Sequence, residues 1–261
     1  MRLSRRRRLS SNTLVWPTGY DRRVLSEVDS TNAEAARLAP TLAGPTWILG
    51  LRQTAGRGRR GRVWSDPPGN FAATLVMMPK GEPAQAALRS FVAALALADA
   101  LTQVTARPEA ISLKWPNDVL LNGAKVAGIL LETTGQGGQM SSLAVGVGVN
   151  LTHAPDLDTL EPGAVSPTSV LSATGANVDP ETFLCLLGSA FAHWEDKLVT
   201  HGFAPLRLAF LDRAARLGEP ITARTGRETF VGTFTDVDAH GALVLTTAKG
   251  RQTVQAAEIF F

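Results

Sequence analysis

Hydrophobic positions along this chain fall into short strand-length runs and three longer helical stretches. Residues 22–28 read as a strand. Thr31 and Glu34 then form a capping box that opens a helix over 33–39, ended by Pro40 and Gly44-Pro45. Strands are expected over 46–52 and 71–78, and the longest helical pattern runs from Pro83 to Val104, rich in alanine and leucine. Strands follow over 111–115, 119–121, 125–132 and 142–150, with Asn122-Gly123 giving the signal of a two-residue type I′ hairpin. Asp179 caps and Pro180 starts a helix that reaches about Thr200, and a further helix covers 204–217. After Gly218 the texture changes to four or five short strands between Gly-containing turns. The pattern predicts an α+β fold: a mixed, mostly antiparallel sheet with flanking helices, then a small C-terminal β-barrel. Three segments result: a disordered basic tail over 1–20, a main domain over 21–217 and a small domain over 218–261.

At 261 residues and 44% hydrophobic content the chain can bury a substantial core. No apolar run is read as a membrane span and no secretory signal pattern follows the first residues, so a cytoplasmic setting is expected. Cys185 stands alone in an apolar helical pattern and reads as a buried core thiol. The net charge of +3 comes from the N-terminus. Five of the 26 basic residues are Arg2 and Arg5 to Arg8; without them 21 basic residues face 23 acidic ones, a net of −2. A nucleic-acid binder carries its basic excess on the folded body and needs aromatic stacking platforms. This chain has a near-neutral body and one tyrosine.

Chemistry concentrates in four segments. Gln53-Thr54-Ala55-Gly56-Arg57-Gly58-Arg59-Arg60-Gly61-Arg62 places four guanidinium groups in six residues among three glycines. Glycine lets backbone approach a ligand, and arginine offers a fixed fork of donors to carboxylate or phosphate oxygens. A loop of this kind suits closure over an anion, and it lacks the Gly-Lys-Ser/Thr ending of a P-loop. Lys114-Trp115-Pro116-Asn117-Asp118 joins two strands through a stiff turn. Its lysine suits a phosphate, its Asn a base or ribose edge, and its Asp a phosphate-bound magnesium; the same Asn and Asp also suit a turn in which they cap their own backbone. Lys125 precedes Gly128, which leaves a gap in the sheet beside a cation, although an edge lysine also guards against aggregation. In Val145-Gly146-Val147-Gly148-Val149-Asn150 both glycines strip one strand face while the valines bury the other. Ser30-Thr31-Asn32 adds neutral donors and acceptors at a helix start. His153, His193, His201 and His240 are scattered and read as structural or solvated.

Together and in this order, Asp29 to Asn32, Gln53 to Arg62, Lys114 to Asp118, Lys125 to Ile129, Gly146 to Asn150 and the small C-terminal domain closely resemble the biotin protein ligases. The resemblance spans roughly residues 23–261 and implies a class II synthetase-like catalytic domain with an SH3-like C-terminal barrel. It implies a ligase that activates biotin with ATP and magnesium to biotinyl-5′-AMP, then transfers biotin to a lysine of a biotin carboxyl carrier domain. Carried over residue by residue, Ser30, Thr31, Asn32, Gln53, Arg57, Gly58 and Arg59 belong to biotin and its adenylate. Lys125 belongs at the biotin carboxylate and the reacting phosphate, with Lys125 and Arg59 as the catalytic pair. Arg60, Arg62, Lys114, Asn117, Asp118 and Asn150 fall on the ATP side, Asp118 as a magnesium partner and Trp64 beside the adenine. The short N-terminus implies a form without the winged-helix DNA-binding domain, hence no DNA partner, and a homodimer is compatible. A lipoate or octanoate ligase or transferase of related fold is the nearest alternative, and a nucleic-acid module using the arginine loop is the alternative of another class.

Overall fold

The computed structural model describes residues 15–79, 82–136, 139–156 and 163–261. Seven strands form the main sheet: β1 (Asp21–Leu25), β2 (Thr46–Gly50), β3 (Phe71–Met77), β4 (Ile111–Lys114), β5 (Asp118–Leu121), β6 (Ala124–Gln136) and β7 (Gln139–Val149). Their order is β1-β2-β3-β7-β6-β5-β4, with β1 parallel to β2 and every other pairing antiparallel. The mixed, mostly antiparallel sheet expected from the pattern is therefore present. At the β5–β6 hairpin Asn122 and Gly123 take φ of 52° and 78°, both in the left-handed region that a type I′ turn requires.

The two faces of this sheet have different fates. Trp47, Leu49, Phe71, Val145, Val147 and Val149 point to one side, into a core built with α3 (Arg89–Thr105) and α5 (Pro180–His201). There Trp47 meets Phe191 edge-on at 5.6 Å between centroids, and Phe71 meets Phe183 at 5.0 Å. On the other side, Ile48, Val76 and Ala144 form a small cluster with Ala35 of the short helix α1 (Thr31–Leu38) and Ala39 just beyond it. The rest of that face, toward β6 and the end of β7, lies beneath the arginine loop and forms the floor of a cleft.

The long helical pattern at 83–104 resolves into α2 (Pro83–Ala87) and α3, meeting at Leu88. By length and composition Ala84–Thr105 is apolar enough to cross a bilayer, against the sequence reading, but 67% of its 18-residue apolar window is buried inside this protein. Two further helices are α4 (Val170–Thr174) and α6 (Phe203–Asp212). The last of these stops five residues short of the expected Leu217. There the chain leaves the helix to pair with the edge of β4: Leu113 N–H donates to Arg213 O and Ala215 N–H to Leu113 O, each at 2.8 Å. Sheet pairing has overridden local helical preference.

The C-terminal sheet contains β8 (Pro220–Arg224), β9 (Thr229–Val237), β10 (Leu243–Thr247), β11 (Gly250–Val254) and β12 (Glu258–Phe260), in the order β11-β10-β9-β8-β12, all antiparallel. It docks on the main body through Trp115, whose indole donates to Gly241 O at 3.0 Å, and through an Arg207–Asp236 ion pair. Of the tail expected over 1–20, residues 1–14 lie outside the described residues. Residues 15–20 are exposed or half-buried but tied down: Ser189 Oγ donates to Val15 O at 2.9 Å, and Trp16 Nε1 donates to Tyr20 O at 2.6 Å. Cys185 is half-buried, not buried, with Arg22 donating to its Sγ at 3.5 Å; its place on α5 faces the N-terminal segment, not the centre of the core.

Candidate active site

β7 supplies the floor of the cleft. Gly146 and Gly148 pair with Leu130 and Gly128 of β6, so three glycines lie close together on the α1 side of the sheet. A Cβ at Gly146 would overlap the Asn32 amide, and one at Gly148 would overlap the Trp64 ring; at Gly128 it would sit 3.3 Å from that ring. The stripped face is thus filled by an amide from α1 and an indole from the end of the arginine loop. It forms part of a cleft of about 720 Å³.

The first turn of α1 lines one end. Ser30 stands at its N-cap but makes no side-chain cap bond, and the expected capping box is absent. Tertiary partners have claimed the groups that would have formed it. Thr31 donates through N–H (2.9 Å) and Oγ1 (3.2 Å) to Gln53 Oε1, while Glu34 turns outward to Arg37 at 2.7 Å. Thr74 Oγ1 donates to Asn32 Oδ1 at 2.6 Å and lies 2.8 Å from Thr31 Oγ1. The Asn32 amide donates to Glu132 Oε2 at 2.7 Å. Ser30, Thr31 and Asn32 are each 4% exposed. Gln53 is itself held by its backbone N–H on Asp66 Oδ2, at 3.0 Å. Burial pushes the Asp66 carboxyl up to about 6, against the opposing pull of that hydrogen bond.

The other end is cationic. Lys125 Nζ lies 2.7 Å from Asp118 Oδ1, and Lys114 Nζ lies 3.9 Å from Asp118 Oδ2. Arg59 donates to Asn117 Oδ1 at 3.1 Å, and the Asn117 amide in turn donates to Ile129 O at 2.8 Å. Burial holds Lys114 and Arg59 below their ordinary values, with Asp118 pulling both the other way. Two lysines share the Asp118 carboxylate and Arg59 sits on the adjoining Asn117, so positive charge gathers at this end of the cleft. Asn150 closes this end, its side chain donating to Thr168 O at 3.0 Å.

Between the two ends runs the loop, a tight turn in which Gly58 N–H donates to Arg62 O (2.7 Å) and Trp64 N–H to Gly56 O (3.0 Å). Arg60 and Gly61 take left-handed φ of 57° and 74°. Arg57, Gly58, Arg59 and Arg62 line the cleft, as do Ser30, Thr31, Asn32, Gln53, Trp64, Lys114, Asn117, Asp118, Lys125 and Asn150. Of the site residues expected from sequence, Arg60 alone does not line it; its guanidinium pairs with Glu258 at 2.9 Å. Arg62 reaches the same carboxylate. Trp64 lies over Gly128 and Gly148 with its ring 5.9 Å from Lys125 Nζ.

Sequence reading missed Thr74, Glu132 and Asp66, and missed that Ala257 to Phe260 of the C-terminal sheet form part of the cleft wall. None carried a local signal, since each enters the site through a contact distant in sequence. Asp118, expected as a magnesium partner, faces Lys125 with one oxygen and Lys114 with the other. Among the described residues no group of three His, Cys, Asp or Glu side chains could hold a metal ion. A magnesium ion held mainly by phosphate oxygens needs only one or two protein carboxylates, a number that this cleft, lined by Asp118, can supply.

Residues 24–150 match the Biotin/lipoate A/B protein ligase family, and residues 217–261 match the Biotin protein ligase C terminal domain. A biotin--[acetyl-CoA-carboxylase] ligase of Paracoccus denitrificans is 57% identical over 91% of this chain and 99% of its own length. The bifunctional ligase/repressor BirA of Bacillus subtilis is 31% identical over 89% of this chain and 71% of its own. Among solved structures, the biotin protein ligase of Aquifex aeolicus in complex with biotin and ATP superposes with a TM-score of 0.76 at 26% identity, covering 92% of this chain and 97% of that one.

Proposed function

The chain belongs to the biotin/lipoate A/B protein ligase family, and from that premise we propose that its cleft joins biotin to a protein lysine at the expense of ATP. The acceptor is the biotin carboxyl carrier domain of acetyl-CoA carboxylase, as the high identity to the Paracoccus enzyme supports. The observation that carries the reading is the gathering of Lys114 and Lys125 on Asp118 and of Arg59 on the adjoining Asn117, beside a glycine-stripped sheet floor. A carboxylate and a triphosphate repel each other, so a site that unites them needs excess positive charge and a surface that lets both lie close to backbone.

In the first step a biotin carboxylate oxygen attacks the α-phosphorus of ATP and pyrophosphate leaves. Lys125, 32% exposed and within reach of the cleft, exchanges Asp118 for the incoming anions and neutralises charge on the carboxylate and the phosphate as they meet. Arg59 and Lys114 take the remaining phosphate charge, and Asn117 and Asn150 offer amides to the nucleoside. Ser30, Thr31, Asn32 and Gln53 hold the polar ring of biotin. In the second step a neutral lysine amine of the carrier attacks the acyl carbon, AMP leaves, and the amine loses its proton. Arg57 and Gly58 roof the adenylate and exclude water between the steps. The near-neutral folded body supports a partner set without DNA or membrane. We place the reaction in the cytoplasm, and the edge strand β1 is the proposed site of any pairing between two copies.

Incubation with ATP, biotin and a purified carrier domain, followed by mass measurement of the carrier, tests the reading. A gain of one biotin per carrier is expected. In parallel, substrate-dependent ATP–pyrophosphate exchange should respond to biotin and not to lipoate; exchange with lipoate alone would move the chain to the lipoyl branch of its family.

A further inference from the structure

Glu132 lies outside every motif that carried the reading above, yet it touches two of them. On β6 it sits two positions beyond Leu130, on the same face as Gly128, and it pairs with Ala144 where α1 crosses the sheet. One of its oxygens, Oε2, accepts from the Asn32 amide at 2.7 Å and from Arg57 at 3.2 Å. The first partner is a buried group at the end of the cleft assigned to the biotin ring. The second is the leading arginine of the loop. Asn32 is otherwise fixed through Oδ1, which accepts from Thr74, and by a long bond from Nδ2 to Leu130 O at 3.5 Å, and Gly146 leaves just enough room for the amide to lie against the sheet. The Glu132 contact is the shorter of the two that Nδ2 makes, and it favours Nδ2 toward β6 with Oδ1 toward Thr74. Without it the buried amide keeps only the 3.5 Å bond to Leu130 O, and its orientation is set less firmly.

We propose that Glu132 is a positioning residue that couples closure of the arginine loop to the orientation of the Asn32 amide at the biotin ring. This rests on the ligase reading above. Arg57 seated on Oε2 draws the carboxylate into the place where it also receives Asn32, so a closed loop and a correctly turned amide reinforce each other. An open loop leaves Glu132, 37% exposed, free to rotate toward solvent.

The coupling is tested with Glu132→Ala and Glu132→Gln in the full chain, using biotin-dependent pyrophosphate exchange, limited proteolysis of the loop with biotin and ATP, and thermal melting. Glu132→Ala should raise the biotin KM by about tenfold with kcat and the ATP KM within about twofold of wild type, the pattern of lost ground-state binding. Glu132→Gln keeps a neutral acceptor for Asn32 but loses the charge that attracts Arg57. It should return the biotin KM to within about threefold of wild type while the liganded loop stays more protease-sensitive than wild type. An unchanged biotin KM in Glu132→Ala, or equal losses of kcat and melting temperature in both variants, would overturn the coupling and leave the ligase reading standing. Absence of biotin-dependent exchange in wild type would instead remove the ligase reading, and this proposal with it.

Discussion

In the proposed reaction Lys125 and Arg59 carry the charge, and each has a partner, Asp118 and Asn117, that an incoming anion would replace. Lys125→Ala or Arg59→Ala should lower adenylate formation by more than ~10²-fold, the scale of a lost charge donor at a transition state. Pyrophosphate exchange near the wild-type rate in either variant would deny it that role. Arg60→Ala, outside the cleft, should cost far less in the same assay. Asp66 allows a pH prediction. Its native carboxyl is raised to about 6 from an ordinary 3.8, so the folded state holds this proton more tightly than the unfolded chain. Its contribution to stability is then greatest below pH 4 and is lost as pH rises to about 6. Asp66→Asn, which keeps an acceptor for Gln53 N–H, should melt higher than wild type at pH 7, with the gap closing as pH falls to 4. At this scale residue type was readable and partners were not. Thr31 and Glu34 read as a capping box because that is their local option, yet Gln53 and Thr74 offered Thr31 a better one through folding.

Among the elements, β7 was legible because an alternation of glycine and valine has one physical meaning: one face buried, the other bare. The structure places the valines in the core and the glycines beneath Asn32 and Trp64. Gly148→Ala should therefore displace the indole and raise the biotin KM by more than about tenfold, comparable to a lost buried packing contact, with little change in melting temperature because the α3 and α5 side is untouched. An unaltered KM would mean the floor is not part of the biotin site. The hairpin at Asn122-Gly123 was equally legible, its two left-handed residues written in the dipeptide. Helix ends were not: α6 stops at Asp212 because the edge of β4 was available, and a competitor distant in sequence leaves no local trace.

For the whole molecule, the change of texture after Gly218 located a separate sheet but not its purpose. Ala257 to Phe260 wall the cleft, and Glu258 holds both Arg60 and Arg62. The arginine loop is thus gripped from two sides, by Glu132 on the main sheet and Glu258 on the C-terminal one. Biotin with ATP should protect residues 56–62 from protease in wild type. Glu258→Ala should weaken that protection and speed the escape of adenylate into hydrolysis, seen as AMP formed without carrier. Protection identical in the two proteins would show that the C-terminal sheet plays no part in closure.

The bare floor also limits how this enzyme could be retuned. A surface already reduced to hydrogen atoms offers nothing further to trim, so no substitution at Gly128, Gly146 or Gly148 can widen the chamber for a bulkier acid. Each change there can only make the enzyme choosier. Broader acid tolerance has to be sought overhead, in Trp64 and the arginine flap, where there is still bulk to remove.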